Sequence, residues 1–125
     1  MTTRTESTIA VTLEQLHSPR TGRIDAGRVA GFLAVSVARL ASALDASPAA
    51  VHKTPDALSL QPRLAPLKRA LELIVQGTRD RREALAWLNS AHPDLGGETP
   101  LQVILGGHAD AVVTLLENAI AGLPS

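Results

Sequence analysis

Helix-start signals recur along this chain at intervals that suit only a set of short helices. Asp25, Ser36, Ser47, Asp80 and Thr99 each stand at the head of an apolar-periodic run. Each can turn a side-chain oxygen back onto the orphan N–H groups of a first helical turn. Ser47-Pro48 and Thr99-Pro100 add proline at the first helical position, where a missing N–H costs nothing. The spacing predicts helices from Asp25 to about Leu33, Ser36 to Leu44, Pro48 to Lys53, Arg63 to Gln76, Asp80 to Asn89, Thr99-Pro100 to Leu105 and Ala109 to Ala121. Their inward stripes are Val29, Phe32 and Leu33; Val37, Leu40, Ala41 and Leu44; Leu64, Leu67, Leu71, Ile74 and Val75; and Val112, Val113, Leu116 and Ile120. Asp80 with Glu83 reads as a capping box, and Gly77 and Gly106-Gly107 read as stops. No stretch alternates with period two for long enough to build a sheet, so the expected fold class is all-α.

Composition narrows the function classes. The hydrophobic fraction is 45% and the aromatic fraction 2%, which favours closely spaced helices over a large ring-walled pocket. With no cysteine, disulfides, thiolate metal sites and cysteine nucleophiles are excluded. A chain of 13.1 kDa fits one compact domain or two small subdomains sharing a core. No apolar run reaches the ~18 residues of a membrane span. The first residues lack a basic, apolar, small-residue cleavage pattern, so a cytoplasmic location is expected. Residues 1–22 read as a flexible tail, rich in Thr and Ser, whose Ile9, Val11, Leu13 and Leu16 could still dock on a partner.

Charge is divided unevenly. Met1 to Glu83 holds all twelve Lys and Arg against eight acidic residues. Ala84 to Ser125 holds Asp94, Glu98, Asp110 and Glu117 and no Lys or Arg. Such asymmetry suits two partners, a polyanion for the basic part and a basic protein surface for the acidic part.

The run from Ser36 to Val51 has helix-turn-helix spacing: Leu40, Ala41 and Leu44, a tight Asp45-Ala46-Ser47 connection, then Val51. A small residue at 41 lets the second helix cross closely. In that arrangement the second helix would enter a major groove and present Ala49, His52 and Lys53, with Ser47 at its N-terminus. It offers no Arg, Asn or Gln for bidentate base contacts, and Asp45 stands where glycine is common. A helix pair used only for packing or dimerisation is the alternative. Arg39, Lys53, Arg63, Lys68 and Arg69 are candidates for phosphate contacts, which position a protein on DNA without specifying sequence.

The stretch from Trp87 to Leu101 combines a lone tryptophan at a helix end, Gly96-Gly97 in a turn and Thr99-Pro100 at the next helix start. Trp87, Leu88, Gly97, Pro100 and Leu101 read as structural: core cover, a positive-φ turn position and a helix start. An enzymatic reading finds little. His92, Asp94, His108 and Asp110 match no compact metal-ligand spacing, and the chain has neither a phosphate-binding glycine loop nor a nucleophile elbow. No catalytic residue, metal site or cofactor is expected.

From Arg23 to Pro124 the chain resembles the Xre/MbcA/ParS-type antitoxins. The residues that carry the likeness are Leu40-Ala41, Leu44, Ser47 and Val51; Leu64, Leu67 and Leu71; Ala84, Trp87-Leu88, Pro93, Leu95, Gly97, Pro100-Leu101, Leu105 and Gly107; and Val112, Leu115-Leu116 and Gly122. Departures are Asp45 and Ala46 in the turn and the Ser90-Ala91-His92 insertion. The resemblance implies a degenerate Xre-like helix-turn-helix domain over 23–78 and a toxin-binding helical domain over 79–125. It implies a toxin partner of the RES type, named for conserved Arg, Glu and Ser residues, which destroys NAD. The antitoxin would cover the toxin's active site and the complex would bind its own promoter, with a homodimer as the expected unit. Toxin contacts are expected from Glu98, Gln102, His108, Asp110, Thr114, Glu117 and Asn118, and from Leu123 and Ser125 in the final tail. The alternative is a stand-alone helix-turn-helix regulator or adaptor without a toxin.

Overall fold

A computed structural model describes Leu13 to Gly122. The expected Ile9, Val11, Leu123 and Ser125 contacts lie outside these residues. Seven α-helices lie wholly within them: α1 Ala26–Leu33, α2 Val37–Ala43, α3 Pro48–Lys53, α4 Gln61–Gln76, α5 Arg81–Leu88, α6 Pro100–Leu105 and α7 Ala109–Ile120. Short 3-10 turns at Leu58–Leu60 and Pro93–Leu95 precede α4 and α6. No strand forms among the described residues, where only an isolated antiparallel bridge joins His17 and Ile24. The chain is all-α there.

The caps set the boundaries. Side-chain oxygens of Asp25, Ser36, Ser47, Asp80 and Thr99 accept from Arg28, Arg39, Ala50, Glu83 and Gln102 N–H groups respectively. A reciprocal capping box forms at Thr99, where the backbone N–H donates to Gln102 Oε1 at 2.9 Å. At Asp80 the expected box is only half formed. Glu83 turns its carboxylate to Arg79 Nε at 3.0 Å, so an ion pair one turn apart displaces the bond to the cap backbone. The fourth helix starts at Gln61 rather than Arg63. Gln61 folds its side chain onto Ile24, accepting from its N–H at 3.0 Å and donating to its carbonyl at 2.9 Å.

One apolar cluster runs from Leu16 to Val112, so the helical segments share a single core. The fully buried Ala41 lets α2 and α3 pack closely, and α4 makes its widest contact with α7. Leu16 is 1% exposed, and the Asp25 N–H donates to its carbonyl at 2.8 Å. The flexible tail expected over 1–22 therefore does not extend through Leu13–Gly22. That segment turns back at Gly22, whose N–H donates to Ser18 O at 2.8 Å. Burying one leucine is worth about 2 kcal/mol, and the segment is further held by Arg28 donating to Gln15 O at 3.1 Å and Thr21 donating to Asp56 at 2.7 Å.

Candidate functional site

The candidate DNA face is built by α2, α3 and the turn between them. Arg39, Ser47, Ala49, His52 and Lys53 are all exposed. Asp45 has φ +54, so it takes the left-handed conformation for which glycine is the usual choice. Its carboxylate lies 3.9 Å from Arg63, which neutralises one cation beside the turn. Arg69, also assigned to phosphate contact, lies elsewhere: its guanidinium is 3.5 Å from Glu117 on α7. A residue expected to meet DNA and one expected to meet the toxin thus face each other.

The candidate toxin face is carried by α6, α7 and the loop before α6. Glu98, Gln102, His108, Asp110, Thr114 and Glu117 are exposed, and Asn118 is half-buried. Gln102 is already engaged by its capping bond to Thr99. The loop from His92 to Glu98 closes on itself: the His92 N–H donates to Glu98 O at 3.0 Å, and the Gly97 N–H donates to His92 O at 3.1 Å. Gly97 has φ +83, a conformation any side chain would strain. Leu88, Pro100 and Leu101 are buried. Trp87 is half-buried, and its ring is tilted 60° to His92 with centroids 6.3 Å apart.

Beside Trp87 a groove of about 440 Å³ opens between the C-terminal ends of α4 and α7. Leu73, Ile74, Trp87, Leu116 and Ile120 supply most of its apolar wall. Ile120 stands at 61% exposure. Sequence reading placed Trp87, Leu116 and Ile120 on packing faces and missed that they stop short of closing. The only available signal was the apolar residue at 120 beside the end of its helix.

His92 and Asp94 approach to 4.0 Å, but no group of three potential metal ligands comes together among the described residues. No single described helix is long and apolar enough to cross a membrane.

Residues 70–122 match the family described as the antitoxin Xre/MbcA/ParS C-terminal toxin-binding domain. Among solved structures, the chain is similar to one in the crystal structure of the M. tuberculosis MbcT-MbcA toxin-antitoxin complex. The identity is 22% and the TM-score 0.53, over 80% of this chain and 96% of that one, a likeness of fold. No curated protein matches the chain.

Proposed function

We propose, from the match of residues 70–122 to the C-terminal toxin-binding domain of the Xre/MbcA/ParS antitoxins, an antitoxin that neutralises a RES-type, NAD-degrading toxin by covering its active site. The family match carries this reading. The charge distribution supports it: the chain from Ala84 onward holds four carboxylates and no Lys or Arg. An acidic surface complements a pocket that holds dinucleotide phosphates with arginine. The protein acts by binding, with no catalytic step of its own.

The proposed toxin contacts are Glu98, His108, Asp110, Glu117 and Asn118, with Gln102 secondary because its side chain caps α6. The tail that includes Leu123 and Ser125 is assigned to the same interface, and the proposed toxin-binding domain spans 79–125. Residues 23–78 are assigned to autorepression: a homodimer would set α3 on operator DNA, with Arg39 and Lys53 on phosphates. The exposure of both residues and the helix-turn-helix spacing support that role.

The test is co-expression with the product of the adjacent gene. A stable complex is expected, together with restored cellular NAD and growth. Truncation after Ile120 should abolish neutralisation while the helical circular-dichroism signal persists. Failure of the full chain to bind would leave a stand-alone regulator as the reading. Full neutralisation by the truncated chain would remove the tail from the mechanism.

A further inference from the structure

The groove between α4 and α7 has an unusual placement. All nine residues that line it, from Leu73 to Ile120, fall within residues 70–122, the stretch that matches the toxin-binding domain. Two other clefts are each built in part from residues before that stretch. The groove is mostly apolar, has the half-buried Trp87 as one wall, and carries an exposed isoleucine at its rim. A partly exposed tryptophan beside an apolar cleft is the composition of an interface hot spot.

Charge narrows the occupant. Glu117 lies three residues before Ile120, on the same side of α7, and Asp110 is the other charged residue of that helix. Glu72 lies one turn before the lining residue Gln76 on α4. Two cations also stand nearby, each against a carboxylate: Arg69 with Glu117 and Arg79 with Glu83. Lys68 lies on α4, one turn before Glu72. No Lys or Arg follows Arg82 in the chain, so α7 itself contributes only carboxylates to this rim. A basic partner residue can take Glu117 from the exposed Arg69.

We infer that this groove receives a large apolar side chain carried on a Lys- or Arg-bearing segment of the toxin. The inference rests on the antitoxin reading and deepens it. Nine lining residues are well below the roughly 20–30 a side of a stable interface. The groove is therefore an anchor within a wider contact and is too small to hold a second copy of this chain by itself.

The test uses the full chain labelled with 5-fluorotryptophan at Trp87, the only tryptophan, and the purified product of the adjacent gene. Toxin binding is expected to shift the fluorine resonance. Ala119→Arg, which fills the groove from an exposed position, should weaken binding roughly 30-fold, as loss of a hot spot does. Ile120→Ala is the second variant, expected to weaken binding in the same direction should Ala119→Arg disturb the fold. Wild-type binding with an unmoved Trp87 signal and undiminished affinity in both variants would overturn the groove assignment and leave the antitoxin reading intact. Failure of wild-type binding would overturn both. A Trp87 shift produced without toxin, by deleting residues 123–125, would assign the groove to the chain's own tail and overturn the inference.

Discussion

Asp56 is the described carboxylate most thoroughly taken from water, at 4% exposure. Thr21 Oγ1 donates to it at 2.7 Å, and Arg20 approaches to 3.8 Å. Arg23 Nε donates at 2.8 Å to the carbonyl of the same residue. The Thr21 hydrogen bond holds its pKa below the ordinary 3.8, aided by Arg20 and Arg23 and opposed by burial. Because the folded value is depressed, the stabilisation is complete above the unfolded pKa and is lost as pH falls through the folded one. The urea midpoint of the wild type should exceed that of Asp56→Asn near neutrality, and the gap should close below about pH 4. A gap that stays constant down to acid pH would mean that charge has no part in this contact. Gln61 does comparable work nearby, satisfying both backbone groups of Ile24. Neither role follows from sequence, since the partners lie 35 and 37 residues away.

Three helices stop by the same device, and only one of them uses glycine. After α1, α2 and α6 a residue in left-handed conformation follows the last turn: Ala34 with φ +58, Asp45 with φ +54 and Gly107 with φ +89. In each case the next residue donates back five positions: Val35 to Ala30, Ala46 to Ala41 and His108 to Val103, at 3.0 to 3.1 Å. This is the Schellman pattern, which leaves fewer helix-end carbonyls unpaired. A side chain in this conformation costs on the order of 1 kcal/mol, less for Asp than for Ala. Ala34→Gly and Asp45→Gly should therefore each raise unfolding free energy by about 0.5–1 kcal/mol in chemical denaturation, Ala34→Gly by more. The Arg63–Asp45 pair, exposed on both sides, is too weak to reverse the sign. A destabilised Asp45→Gly would show that the pair outweighs the strain. Sequence reading located the glycine stop directly. The stops at Ala34 and Asp45 are set by packing, which holds the following segments in place.

Across the whole molecule, single contacts join segments that sequence reading assigned to different tasks. Arg81, at the start of α5, donates to Phe32 O at 3.1 Å and Gly31 O at 2.9 Å, and its guanidinium lies 5.7 Å from the Phe32 ring centroid. It thereby satisfies carbonyls at the C-terminal end of α1, where a cation is also favoured by the helix dipole. Arg69 and Glu117 join α4 to α7 by an ion pair at 3.5 Å. The proposed DNA footprint is correspondingly small. Replacing Arg39 and Lys53 together by Ala should reduce the salt slope of operator binding by about 2, whereas Arg69→Ala should leave it unchanged. An equal loss from Arg69→Ala would show that its pair with Glu117 opens on DNA.

What the sequence determined by itself is local. Side-chain caps, proline at first helical positions and apolar periodicity act within one or two turns, and they yielded the helices nearly to the residue, together with the all-α class and the positive φ at Gly97. The tertiary structure alone decided that Leu16 belongs to the core, that Arg69 meets Glu117, and that Trp87, Leu116 and Ile120 leave a groove open. Those outcomes depend on how preformed helices pack across separations of 50 residues and more. A cap or a periodic stripe specifies which face of a helix is buried, and does not specify which neighbour covers it or how completely.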